Sequence, residues 1–464
     1  MKSQYQIKEL FDIEKGSLQS SKCVEGEYDF ITASSEWKTN KTYTHDCEAL
    51  VFAMGAAGSL GRTHYVNGKF IASDLCFILT PKTDYLEKID LKFYYYYFNS
   101  NRQTIVRLLA TGTTKLAINQ TKFSNYQIPY FDLTTQNKLK LIYDKVSVLN
   151  AELVKKINKQ ELYISKLRQS ILQQAVEGKL CLQDPNDEPA SELLKRIKAE
   201  KEQLVKDGKI KKEKPLPPIK DNEKPFALPQ GWEWCRFGKV INISSNLVSP
   251  NQFLSVLHIA PDNIEKANGK LKFCRIVSED NVISNNHYFK SGQIIYSKIR
   301  PKLRKVVIAP FDGLCSADMY PIDSFIATRF TFWYMLTDVF TEQVTRSDNR
   351  VKMPKTNQND LSRVLVPVPP MQEQQRIVQK VDRLMSYCDE LEKQITKSKD
   401  IAEKLMQSIL AKAFNDQEEK QPTVIVSISP KVEPIPVKLA ARGSISTETM
   451  QHIEQTINEM CGES

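Results

Sequence analysis

The first stretch whose residue types could do chemistry is a glycine-rich loop, Gly55-Ala56-Ala57-Gly58-Ser59-Leu60-Gly61-Arg62-Thr63. A phosphate cradle of the P-loop kind needs Gly-x-x-x-x-Gly-Lys-Ser/Thr, with the lysine on the phosphates and the hydroxyl on Mg²⁺. Here Ala56 stands where the first glycine belongs and Arg62 where the lysine belongs, and Gly55, Gly58 and Gly61 are not spaced as Gly-x-Gly-x-x-Gly. The loop is therefore not read as a nucleotide site. A DNA methyltransferase would carry an Asn/Asp-Pro-Pro-aromatic tetrad, and only Pro129-Tyr130 and Pro369-Pro370 come near one. The nine cysteines form no Cys-x-x-Cys and the five histidines do not cluster with them, so neither a zinc site nor a disulfide framework is expected. No Ser/His/Asp or Cys/His constellation stands out, and the chain reads as non-catalytic, with no cofactor of its own.

What remains is contact chemistry. In the first half the candidates are Arg62 in its loop, and Thr113 and Lys115 within Thr111-Gly112-Thr113-Thr114-Lys115. In the second half they are Lys298, Arg300, Lys302 and Arg304 within one basic segment, and Asn349, Arg350 and Lys352 within another. Arginine and lysine can bond guanine edges, asparagine can bond adenine, and hydroxyls hold phosphates. The same residues equally suit a solvated charged loop.

Two long helices must position these groups. An offset of 238 residues separates Asn357 from Asn119, Pro367 from Pro129, Gln374 from Gln136 and Ser408 from Ser170, which marks an internal repeat. After each proline comes an apolar seam stepping by three or four. The first is Leu139, Ile142, Val146, Leu149, Leu153, Ile157, Ile164, Leu167 and Ile171; the second is Ile377, Val381, Leu384, Cys388, Leu391, Ile395, Ala402, Leu405 and Ile409. About 40 residues make a rod of roughly 60 Å that cannot stand alone with one apolar stripe. The two rods are expected to cover each other's seams as an antiparallel pair.

The globules are α+β. Short apolar runs such as Tyr28–Ile31, Ala49–Phe52 and Cys76–Leu79 predict strands, as do Leu254–Ala260, Gln293–Tyr296 and Lys305–Ile308. Residues 91–110 predict a helix that buries its tyrosines as core rather than offering them to bases. The basic segment from Lys298 to Lys305 takes the place that the glycine-rich loop has in the first globule. Ser73-Asp74-Leu75 matches Ala317-Asp318-Met319 at an offset of 244. The expected division is 1–130 first globule, 131–178 first helix, 179–227 a charged, proline-containing connector read as a solvated linker, 228–366 second globule, 367–414 second helix and 415–464 a tail.

Bulk composition agrees without deciding. The chain has 464 residues, 41% hydrophobic and 26% charged, and a net charge of +10 that suits a nucleic-acid or anionic partner. No apolar run approaches a membrane span, and the polar start Met1-Lys2-Ser3-Gln4 does not resemble a signal peptide, so a cytoplasmic protein is expected.

The repeat also carries a resemblance. Asn357-Gln358-Asn359-Asp360-Leu361, then Val366-Pro367-Val368-Pro369-Pro370 and Gln372-Glu373-Gln374-Gln375-Arg376, resemble the start of the helices in specificity subunits of Type I restriction-modification systems. So do the helix ends at 169–176 and 407–414, and the opening Leu228-Pro229-Gln230-Gly231-Trp232-Glu233-Trp234 of the second globule. The first globule lacks that Gly-Trp-x-Trp opening, and the tail beyond 415 departs from the family pattern. The resemblance implies two target-recognition domains, each reading one half of a bipartite, asymmetric site in double-stranded DNA, with the helices setting the distance between halves. It implies two methyltransferase subunits carrying S-adenosylmethionine, and restriction subunits using ATP and Mg²⁺ in the full complex. The alternatives are a coiled-coil scaffold whose globules bind protein, and an enzyme such as a fused endonuclease.

Overall fold

In the computed structural model the described residues are 3–415, without 57, 113–115, 213, 245 and 347–353. They divide into two units, one holding 3–158 and 396–415, the other 159–395. The long helices run over Leu133–Val176 and Met371–Asn415.

In the first unit a six-stranded sheet has at its centre His45–Ala53, flanked by Thr63–Ala72 and Cys76–Pro81, with Phe11–Lys15 beyond the latter. Alternation along the central strand explains why its end is fully buried. Leu50 and Phe52 face one core with Phe77, Leu79, Phe98 and Phe123, whereas Ala49, Val51 and Ala53 face a second with Ile31, Phe70 and Ile78. The remaining strands, Tyr28–Ile31 and Lys38–Asn40, extend the sheet past Thr63–Ala72. The predicted helix from 91 to 110 is two helices, Leu91–Ser100 and Arg102–Leu109, divided at Asn101. Tyr94 and Tyr97 are buried, and Tyr94 donates to the Pro129 carbonyl, so the tyrosine run does serve the core.

The second unit repeats the centre of this sheet and changes its margins. Ile241–Ile243, Met319–Ser324, Ile294–Ser297 and Val306–Ile308 form a four-stranded sheet in the same order as the corresponding strands of the first unit. A separate four-stranded sheet holds Leu247–Val248, Asn286–Phe289, Gly313–Cys315 and Leu257–Ile259. The shared strands are thus a common frame, and the inserted strands are where the two units differ.

Each unit closes with a two-stranded clasp joining its first strand to the one before its long helix. Ser3–Gln6 pairs antiparallel with Gln127–Tyr130, and Glu233–Arg236 with Leu365–Val368. The first globule therefore has the opening strand although it lacks the tryptophan motif. Just inside each helix a fully buried glutamine ties the clasp to the globule. Gln136 donates to the carbonyls of Lys88 (2.8 Å) and Phe131 (2.6 Å) and accepts from the Asp90 amide (2.8 Å). Gln374 donates to the Pro369 carbonyl (2.9 Å) and accepts from the Ala327 amide (2.8 Å).

In the second helix Ile377, Val381, Leu384, Cys388, Ile395 and Ala402 are buried and Leu391 is half-buried, while the side chains of Leu405 and Ile409 lie outside the described residues. The seam of the first is corrected in its N-terminal half, where Ile142, Leu149 and Leu153 are 37%, 58% and 41% exposed. Tyr143 and Asn150 are half-buried instead. Steps of three or four admit either neighbour, and Tyr143 is drawn in by stacking on Tyr96 at 3.9 Å between ring centroids. Within the second unit the helices are antiparallel. Arg168 of the first reaches Asp389 and Glu392 (3.0 Å) of the second, and Gln183 beyond the first helix reaches Glu373 (3.0 Å) near the start of the second.

The connector is packed, not a solvated linker. Its helix Ala190–Lys206 buries Leu193 and Ile197, and Lys201 donates to the carbonyls of Gly238 and Ile241. Arg236 holds the carbonyls of Pro217 and Pro218.

Candidate nucleic-acid interface

In each unit three segments converge at one backbone node. They are the hairpin loop of the central strands, the turn before the neighbouring strand, and the segment leading to the repeat. In the first unit the Met54 amide donates to the Leu75 carbonyl (2.9 Å), and its own carbonyl accepts from the Ile118 amide (2.8 Å). In the second the Lys298 amide donates to the Asp318 carbonyl (3.0 Å), and its carbonyl accepts from the Thr356 amide (2.9 Å). The hairpins also close alike, Ala53 amide to Arg62 carbonyl and Ser297 amide to Lys305 carbonyl. The placement of the basic segment opposite the glycine-rich loop is thus seen in the hydrogen bonds themselves.

This node corrects one alignment. Cys76 and Met319 donate to the carbonyls of Ser73 and Ser316, and the amides of Leu75 and Asp318 donate to the hydroxyls of the same serines. Ser73-Asp74-Leu75 therefore matches Ser316-Ala317-Asp318, at an offset of 243 rather than 244. The two acids do not coincide. A short Ser/Ala-Asp pattern drew the eye, but the serine hydroxyl sets the register.

Both loops turn left-handed near their two ends but differ by one residue in length and in their side chains. Ala56 and Gly61 are left-handed in one (φ 72° and 78°), Arg300 and Arg304 in the other (φ 48° each). A non-glycine residue held there costs about 1–2 kcal/mol, and such strain persists only when its surroundings fix it. Arg102 does so in the first unit, bonding the carbonyls of Leu60 (2.8 Å) and Gly58 (2.7 Å). In the second, Arg304 bonds the Leu336 carbonyl, Gln169 (2.7 Å) and Asp338. The glycines thus answer a turn requirement. A Cβ at Gly61 would lie 2.7 Å from a methyl of Val106. Gly61→Ala should lower the stability of the unit by roughly 1–3 kcal/mol, read as a reduced urea midpoint.

Among the predicted contact residues, Arg62 is half-buried and donates to the Ala33 carbonyl and Ser59 hydroxyl (3.3 Å each). Lys298 donates to the Ala317 carbonyl (2.7 Å) and lies over the Tyr320 ring. Arg304 is spent on the scaffold, as described. Arg300 and Lys302 are exposed at the loop tip. Thr113, Lys115, Asn349, Arg350 and Lys352 lie outside the described residues. Leu75, Arg102, Asp318 and Lys355 belong to the node and are not among the contact residues expected from sequence. The constant 238 before the repeat would have paired Ala117 with Lys355, and that was the available signal.

The candidate cations also tune their surroundings. Burial lowers the pKa of His64, and Arg62 lowers it further; burial does the same to His287, with Lys298 adding to it. Both rings therefore take up a proton less readily than a free imidazole. Among the described residues no group of three His, Cys, Asp or Glu is placed to hold a metal ion, and no helix is long and apolar enough to cross a membrane.

Comparison with known proteins agrees with this duplicated arrangement. Residues 2–161 and 230–398 match the family described as Type I restriction modification DNA specificity domain. The Type I restriction enzyme EcoDI specificity subunit of Escherichia coli is 34% identical over 418 residues, covering 89% of this chain and 87% of that protein. The EcoAI specificity subunit of the same organism is 37% identical over 271 residues, covering 56% and 46%. A solved chain from work on complex assembly and conformational transition of the type I R-M system shares the fold, with a TM-score of 0.54 at 16% identity, covering 89% of this chain and 97% of that one. With two matched segments, one on each frame, and a relative aligned over nearly its whole length, this chain belongs to the family of Type I restriction-modification specificity subunits.

Proposed function

We propose that this chain is the non-catalytic DNA-reading subunit of a cytoplasmic Type I restriction-modification complex. Each domain reads one half of a bipartite, asymmetric duplex site. Two methyltransferase subunits dock beside the long helices and supply S-adenosylmethionine chemistry, and restriction subunits with ATP and Mg²⁺ complete the nuclease. The observation that carries this reading is the duplicated node, where matching backbone bonds hold a small-residue loop in one unit and a loop with the cations Arg300 and Lys302 in the other. A matching frame with unlike loops suits two half-sites of unlike sequence.

Methylation mapping in cells carrying this chain with its partner subunits tests the proposal. The expected motif is split by a spacer, and exchanging residues 1–130 for the matching domain of another specificity subunit should change one half alone. A continuous motif, or a change in both halves, would overturn it. DNA binding should also weaken steeply with salt, as phosphate contacts release counterions; binding indifferent to both salt and duplex DNA would favour a protein-binding scaffold.

A further inference from the structure

The node holds a substitution that the loops themselves do not reveal. The backbone bonds above make Met54, Leu75 and Ala117 the counterparts of Lys298, Asp318 and Lys355. One unit places three apolar residues at these positions, and the other places two cations around a carboxylate.

In the second unit Lys355 donates to Asp318 Oδ1 (3.1 Å), and the Lys298 ammonium lies 3.7 Å from the same oxygen. Oδ2 takes no hydrogen bond from a described residue. The carboxylate is 37% exposed and the Lys355 side chain 36%. A partly exposed carboxylate held beside two ammonium groups offers both an acceptor and donors on one small surface. In the major groove a G·C pair offers the complement, the guanine O6 and N7 acceptors and the cytosine N4 amino donor.

In the first unit the counterpart of that carboxylate is Leu75, a large apolar side chain 41% exposed. Gly55 clears the space beside it, since a Cβ there would lie 3.2 Å from Leu75 Cδ2. Lone exposed leucines are common and need no explanation. This one, however, occupies the node position whose counterpart is the exposed acid. An apolar tip in the groove recognises the thymine methyl, which no other base presents.

We propose that residues 75 and 318 are equivalent base-reading positions: Leu75 packs on a thymine methyl in one half-site, and Asp318 with Lys298 and Lys355 reads a G·C pair in the other. This rests on the DNA-reading function above and adds the residues that discriminate.

The test uses the full chain with its methyltransferase partners and reads the methylated motif genome-wide. Asp318→Asn should weaken discrimination at one G·C position of one half-site by about tenfold or more, with the other half unchanged. The triple variant Met54→Lys, Leu75→Asp and Ala117→Lys should replace a T·A position by G·C in the opposite half. An unchanged motif from Asp318→Asn overturns the proposal, whether or not its thermal midpoint falls, because a purely structural role moves the midpoint alone. If the triple variant does not accumulate folded, Asp318→Asn decides by itself. A wild-type motif that is not split would instead sink the functional reading, so the two failures are distinguishable.

Discussion

Gln136→Leu is expected to destabilise the first unit by roughly 3–5 kcal/mol. The side chain is fully buried and serves three backbone groups, the carbonyls of Lys88 and Phe131 and the amide of Asp90. Leucine fills a similar volume but leaves all three without a partner, and each buried unsatisfied group costs about 1–3 kcal/mol. Set against a domain stability of about 5–15 kcal/mol, this is a large share of the total. Gln374→Leu orphans only two groups, the Pro369 carbonyl and the Ala327 amide, and should cost roughly 2–4 kcal/mol. Urea titration of each variant measures the loss; equal midpoints for wild type and Gln136→Leu would show that the hydrogen bonds do not hold the clasp to the globule.

The second large effect is expected at Arg168, whose side chain is 9% exposed between Asp389 and Glu392 on the opposing helix. Removing one partner of a buried pair costs about 3–5 kcal/mol. Here the two acids are 35% and 45% exposed and Lys270 still reaches Asp389, so roughly 2–3 kcal/mol is expected for Arg168→Ala. Arg168→Met should cost less, because the repeat itself places Met406 at the position 238 residues on. Burial pushes the Asp389 carboxyl up, but the hydrogen bonds from Lys270 and Arg168 outweigh it and its pKa lies below the ordinary value. A depressed carboxyl stabilises the fold above its unfolded pKa of about 4 and loses that contribution as pH falls through the folded value. The gap between wild type and Arg168→Ala should therefore be full at pH 7 and shrink below about pH 4. A gap that stays constant on acidification would remove the ion pair as its cause.

Much of the frame was legible because it obeys strong periodicities. The constant offset of 238 located both buried glutamines, and the apolar steps located both long helices. The seam went astray at Ile142 and Leu149, where hydrophobicity favoured one neighbour and the stacking of Tyr143 on Tyr96 favoured the other. Tertiary contacts decide such ties. The connector looked solvated because its lysines and prolines are polar by type, yet Lys201 is spent on two backbone carbonyls. In the interface the basic loop was legible by charge, but Arg304 and Arg300 look alike in sequence. Only the fold shows that one holds the Leu336 carbonyl and the other is exposed. Leu75 was invisible as a contact candidate because an isolated leucine carries no signal until its counterpart is known.

The antiparallel pairing of the long helices has a consequence for the making of the chain. Arg168 and Asp389 are 221 residues apart, so the first helix leaves the ribosome well before its partner exists. At roughly 5–20 residues per second the wait is about 10–45 s. The clasp of the first globule and the glutamine that ties it need nothing beyond Gln136 and can close early. Throughout that interval Ile164, Leu167 and Ile171, all buried in the finished protein, have no helix to cover them. The nascent chain is thus a folded domain trailing an uncovered apolar stripe. Slowing translation between residues 176 and 389 lengthens the period in which it can aggregate.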